Sequence, residues 1–163
     1  MITLRLTRKL QALFEIDLPE QLLPTTNKLG DWYANIIPTE SGDLILMVNE
    51  KTLLSVAVPI WESDHWLVSF HLRVTNLLEM IGIPFETILQ ELHHYKDIQF
   101  DNTKSRSVLG SMNDIAYQYQ VIAEMTNSVS DLSLSNAEYR MSEVPFKSIG
   151  SRFPREIAKE LLV

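Results

Sequence analysis

The chain has no cysteine among its 163 residues. Disulfides, zinc–thiolate centres, iron–sulfur clusters and a cysteine nucleophile are therefore excluded. It also has no long apolar run. Thr52–Trp61 is the best candidate, and it falls well short of the ~20 residues that a membrane span needs. Arg5, Arg8 and Lys9, followed by Glu15, interrupt the N-terminus before a signal-peptide core could form. The expectation is a cytoplasmic protein with no membrane partner.

Catalytic signatures are missing as well. No G-x-S-x-G, P-loop, dinucleotide fingerprint or H-E-x-x-H occurs. His93 and His94 are adjacent, so they point to different faces of a helix. Glu91-x-x-His94 resembles half of a di-iron pair, but there is no second Glu-x-x-His. Neither a metal nor another cofactor is expected.

Bases are outnumbered, 14 against 21 acids, which gives a net charge of −7. Residues 31–100 hold ten acids and three bases, so the middle of the chain carries the deficit. A field of this sign repels polyanions and argues against bulk nucleic-acid binding. It leaves room for a local basic pocket that takes one small anion.

The dominant positive feature is Thr103–Asn127. Val108, Met112, Ile115, Tyr119 and Ile122 recur at helical spacing, and Leu109, Ala116 and Ala123 widen that face. The spacing predicts one long helix starting between Thr103 and Ser107. Arg106, Gly110, Asn113 and Tyr117 fall on a second stripe beside it.

Before this helix, Ile2–Thr7 alternates as a half-buried strand, and Thr7 opens a short helix to about Ile16. Lys28–Asp31 reads as a turn with Gly30 as its permissive residue. Trp32–Pro38, Leu44–Asn49 and Leu53–Pro59 read as an antiparallel meander. Trp61–His65 reads as a loop. Helices Trp66–Ile81 and Pro84–Tyr95 follow, separated by Gly82. Asp97–Asn102 is a fifth strand. After the long helix come a polar stretch (Ser128, Ser130, Ser133, Ser135) and a helix over Asp131–Val144. Phe146–Arg152 is irregular, and Pro154–Leu162 is a last helix. One domain over residues 1–163 is expected, with an α+β fold. It has a mainly antiparallel sheet of four to five strands against five to six helices.

The start of the long helix carries an electrostatic anomaly. Lys104 and Arg106 stand where the helix dipole prefers acids by ~0.3–1 kcal/mol each. Either an anion sits there, bound by free N–H groups, the two cations and the hydroxyls of Thr103, Ser105 and Ser107, or Arg106 folds back onto Asp101 or another acid. Gly110 costs ~1 kcal/mol relative to alanine in a helix interior. It implies a close approach, either by another element or by a ligand between Arg106 and Asn113. Asn49 and Thr52 fit turn chemistry and Trp32 fits core or rim packing; the alternative for all three is a place among the ligand-binding residues.

Taken together, LTRKL (Leu6–Leu10), DWYANI (Asp31–Ile36), MVNEKTLLSV (Met47–Val56), RSVLGSMND (Arg106–Asp114) and a tail with Pro145 and Phe153-Pro154 resemble a family of small bacterial proteins known as a domain of unknown function. The resemblance covers most of the chain. It implies a bacterial or mobile-element origin and brings no reaction, substrate or cofactor. It marks Lys9, Trp32, Asn35, Asn49, Thr52, Arg106, Ser107 and Asn113 as matching the recurring pattern. Thr7-Arg8-Lys9 departs from it mildly, with arginine between threonine and lysine.

Two functions stay open. One is an interaction or regulatory module with a protein partner, for instance in a toxin–antitoxin or phage-defence system. The other is a small phosphate- or nucleotide-binding protein, even a hydrolase or transferase, with Lys104, Arg106 and Asn113 on the anion and Asn35, Asn49 and Lys9 supporting them. No general base is identified for it.

Overall fold

The computed structural model describes residues 1–127 and 129–163; Ser128 of the expected polar stretch lies outside the described residues. Five strands form one mixed sheet: β1 (Ile2–Leu6), β2 (Trp32–Ile37), β3 (Leu44–Asn49), β4 (Ser55–Pro59) and β5 (Ile98–Asn102). Their order is β4-β3-β2-β1-β5. The meander β2–β3–β4 is antiparallel, as its short connections require. β1 lies between β2 and β5 and is parallel to both.

Six helices cover the sheet: α1 (Arg8–Phe14), α2 (Trp66–Met80), α3 (Phe85–His93), α4 (Arg106–Thr126), α5 (Asp131–Met141) and α6 (Pro154–Leu162). The fold is α+β, with helices on both faces. On one face, Ile2, Leu4 and Leu6 of β1 and Trp32 of β2 join Phe70, Val74 and Leu77 of α2, Ile88 of α3 and Ala158 of α6. On the other, Tyr33, Leu46 and Ala57 meet Val108, Met112, Ile115 and Tyr119 of α4 and Leu134 of α5. The stripe predicted for the long helix is therefore its core face.

Local chemistry sets the ends. Thr7 accepts the Leu10 N–H and caps α1; Ser105 accepts the Val108 N–H and caps α4. Ser130 and Ser133 form a reciprocal capping box at α5. Gly30 stands at φ +76°, a backbone conformation that L side chains rarely adopt, so the turn favours glycine.

Several boundaries differ from the sequence reading. β4 begins at Ser55 instead of Leu53, because Leu53 stands at φ +60° inside the turn. Ile60–His65 is a 3-10 helix and not a loop. α3 ends at His93 and passes into a 3-10 turn at His94–Lys96. α5 stops at Met141, short of Val144, and Phe146–Arg152 holds a 3-10 turn closed by a bridge between those two residues.

The two sheet edges are treated differently. At β4, Glu138 of α5 accepts the Ala57 N–H at 3.1 Å and the Arg73 Nε–H at 3.0 Å. Arg73 comes from α2 on the opposite face. This buried pair therefore covers the strand edge and bolts the two helical layers together around it. Asn76 adds a 3.2 Å bond to Ser135. At β5, among the described residues, the only strand neighbour is β1.

Met112 is buried against the sheet. Met112→Asp would place an uncompensated charge there and should cost about 3–5 kcal/mol. Chemical denaturation should show a large fall in the midpoint; an unchanged midpoint would mean the wrong face of α4 has been assigned to the core.

Candidate functional site

β1 is centred on Arg5, which is almost fully buried. Its Nε donates to Asp31 at 2.7 Å, and its Nη1 donates to Asp101 at 2.6 Å and to the Asn102 carbonyl at 3.1 Å. Burial opposes the guanidinium charge, and the hydrogen bonds and charges of Asp31 and Asp101 outweigh it, so the Arg5 pKa is raised. Thr3 and Gln99 continue this polar strip, with Gln99 donating to Thr3 at 3.0 Å. Gln99 also pairs with both backbone groups of Leu23, at 2.9 and 2.8 Å, and so holds the long connection between α1 and β2.

The carboxyl ends of β1 and β5 lie side by side. α1 leaves β1 toward one face, and α4 leaves β5 toward the other. Helices that diverge from adjacent parallel strands open a crevice between them, the usual position of ligands in open sheets. Here the crevice is knitted by side chains. Gln11 of α1 donates to the Leu6 carbonyl at 2.9 Å and to Asn102 Oδ1 at 3.0 Å. Thr7 donates to Asn35 at 2.8 Å. The Ser105 N–H donates to the Tyr33 hydroxyl at 3.1 Å.

The sequence-predicted site residues divide into two groups. Lys9, Asn35, Lys104, Arg106 and Ser107 belong to this end of the sheet, and Asn113 lies two turns along α4. Lys9, Lys104, Arg106, Ser107 and Asn113 are exposed. Arg106 does not fold back onto Asp101, because Arg5 holds that carboxylate. Gly110 admits no close neighbour either: a Cβ there would meet nothing within 4 Å. The stripe Arg106, Gly110, Asn113 and Tyr117 is an open helix face.

Trp32, Asn49 and Thr52 sit at the other end of β2 and serve the fold. Asn49 is fully buried. Its amide donates to the Leu29 and Asp31 carbonyls, and its Oδ1 accepts from Lys51 N, Thr52 N and Thr52 Oγ1. Trp32 donates its indole N–H to Tyr95 at 2.8 Å and packs edge-on to Phe70. Glu91, also buried, accepts from Asn27, Lys28 and Leu29 and fixes the preceding loop.

The sequence reading missed an apolar opening. A cleft of about 480 Å³ lies between the outer face of α2 and β5. Leu67, Val68, His71 and Leu72 form one wall; Tyr95, Lys96, Ile98 and Phe100 form the other. Val68 and Leu72 are 60% and 63% exposed. Burial, and then the charge of Lys96, lowers the His71 pKa and favours its neutral imidazole. Among the described residues, Lys96 is the lysine of a lining that is otherwise mostly apolar. Val68 and Leu72, one helical turn apart and outside the core stripe of α2, were the available signal.

Among the described residues, no helix is long and apolar enough to cross a membrane. Nor do three or more histidine, aspartate or glutamate side chains group as metal ligands there. No curated protein and no solved structure matches the chain. The sequence profile of the family described as Domain of unknown function (DUF6933) matches residues 3–157, nearly the whole length, and the chain belongs to that family.

Proposed function

We propose that this domain is a cytoplasmic interaction module that holds a protein partner in the cleft between α2 and β5. The observation that carries this reading is the cleft itself. Its size suits the burial of several apolar side chains, and Val68 and Leu72 stand unpartnered at its rim. The use of Asn49, Thr52 and Trp32 in holding the fold points the same way, since polar residues spent on structure are not available to a substrate.

The test is photo-crosslinking in cells with benzoylphenylalanine at Leu72, compared with the same group at Tyr117 on α4. Both positions are exposed, so both variants should melt like the parent. Discrete protein adducts at 72 and none at 117 are expected. Adducts at 117 alone, or at neither position, would overturn the reading.

A second reading rests on a different observation. With Asp101 engaged by Arg5, Lys104 and Arg106 have no ion-pair partner among the described residues, and both flank the crevice at the carboxyl ends of β1 and β5. A small anion such as phosphate would complement them, with Ser107 and Lys9 nearby and Asn113 at the far end of a longer ligand. Phosphate should then raise the melting temperature beyond matched chloride; ligand at a hundred times its Kd adds ~2.7 kcal/mol. Arg106→Ala should abolish the increment, and Arg106→Lys should recover only part, lacking the bidentate fork. Asn113→Ala should weaken it less. Equal shifts in the parent and Arg106→Ala would remove the anion reading and leave the cleft untouched.

A further inference from the structure

The cleft lies against a sheet edge that has chemistry of its own. The Ile2 N–H donates to the Asp97 carbonyl at 3.0 Å. In a parallel ladder the backbone groups of successive residues turn alternately to the two sides. Asp97, Gln99 and Asp101 therefore turn theirs toward β1, and Ile98 and Phe100 turn theirs outward. Among the described residues, nothing pairs with the outward groups of Ile98 and Phe100. The long connection that passes near β5 is tied through Leu23 to the Gln99 side chain, and none of its residues lines the cleft. The residues with free backbone groups are thus two of the four whose side chains form that wall of the cleft.

We infer that β5 accepts an extended segment of a partner protein as a sixth strand, whose alternate side chains lie in the cleft. This deepens the interaction reading and rests on it. Main-chain hydrogen bonds would supply affinity, and the cleft would select side chains at every second position. The lining favours apolar residues two apart, beside Phe100 and Ile98. Lys96 favours an acid beyond them, since among the described residues no carboxylate lines the cleft, in a chain of net charge −7. Side chains on the opposite face of that segment would pass Gln99 and Asp101 and should be polar or basic.

A second copy of this chain fits less well. Antiparallel pairing of two β5 edges through Ile98 and Phe100 allows three central registers. One sets Ile98 opposite Phe100 and thereby Asp97 opposite Asp101. Another sets Phe100 opposite itself and Lys96 opposite Lys104. Both oppose like charges, which destabilises cross-strand pairs. The third sets Ile98 opposite itself and Lys96 opposite Phe100, which gives Lys96 no acid opposite it.

The experiment selects phage-displayed ten-residue random peptides on the full chain. The strongest binder is then synthesised with a fluorescent label and in two further forms, N-methylated at one or the other set of alternate amides. We expect binders with apolar residues two apart and an acid. One methylated set should weaken binding at least about tenfold and the other should leave it within about twofold. Leu72→Asp, at an exposed position, should weaken the parent peptide about tenfold with unchanged melting. Binders spaced at three and four residues, equal response to both methylated sets, or no enrichment would overturn the strand reading. So would concentration-dependent dimerisation abolished by Leu72→Asp, which would assign the edge to a second copy. Adducts at position 72 combined with any of these outcomes would remove the strand and keep the interaction module; absence of adducts would remove both.

Discussion

Arg5 is the constraint around which the sheet is assembled. A guanidinium removed from water requires fixed acids, and Asp31, just before β2, and Asp101 of β5 supply them from either side. Arg5 therefore fixes which strands flank β1 and in what register. Its third bond, to the Asn102 carbonyl, also fixes where β5 ends and the turn into α4 begins. Truncating Arg5 would strand two carboxylates, one of them deeply buried, so the arrangement is specific even if its net contribution to stability is small. A distant consequence follows. Because Asp101 is consumed inside, the cations at the start of α4 stand without the acid that sequence proximity offered them.

The two edges of the sheet show how differently the same problem is solved. At β4, the Glu138 carboxylate meets the Ala57 N–H, and Arg73 closes the pair from the other layer. At β5, the side chains around the strand face inward to Arg5 and Gln99, and the outer backbone of Ile98 and Phe100 is left beside an apolar cleft. An open edge invites pairing with other chains, and Lys96 at its start limits indiscriminate pairing. A fold that shields one edge with a buried ion pair has the means to shield the other; its open state is what gives the interaction reading its weight.

Much of the fold was legible because it is local. The core stripe of α4, the caps at Thr7 and Ser105, and the meander joined by short turns all follow from spacing and residue type. The parallel pairing of β1 with β2 and β5 was not, since it joins segments far apart in the chain. Arg5 shows the same limit. The alternation of Ile2, Leu4 and Leu6 assigned it to the solvent side, and only the flanking strands reveal that this side is buried too. Asn49 was legible as turn chemistry, and its role is that of a bracket between two turns. The cleft was hardest, because its walls come from α2, the turn after α3 and β5. Only the apolar Val68 and Leu72, off the core stripe, hinted at it.

Strand addition requires an open outer edge at β5, held rigid from within by Arg5. Residue-resolved amide hydrogen exchange on the free chain measures this directly. Gln99 and Asp101, whose N–H groups face β1, should exchange slowly, and Ile98 and Phe100 should exchange far faster, giving an alternation along the strand. Uniform protection from Ile98 to Asp101 would mean the edge is already covered, and would contradict the account.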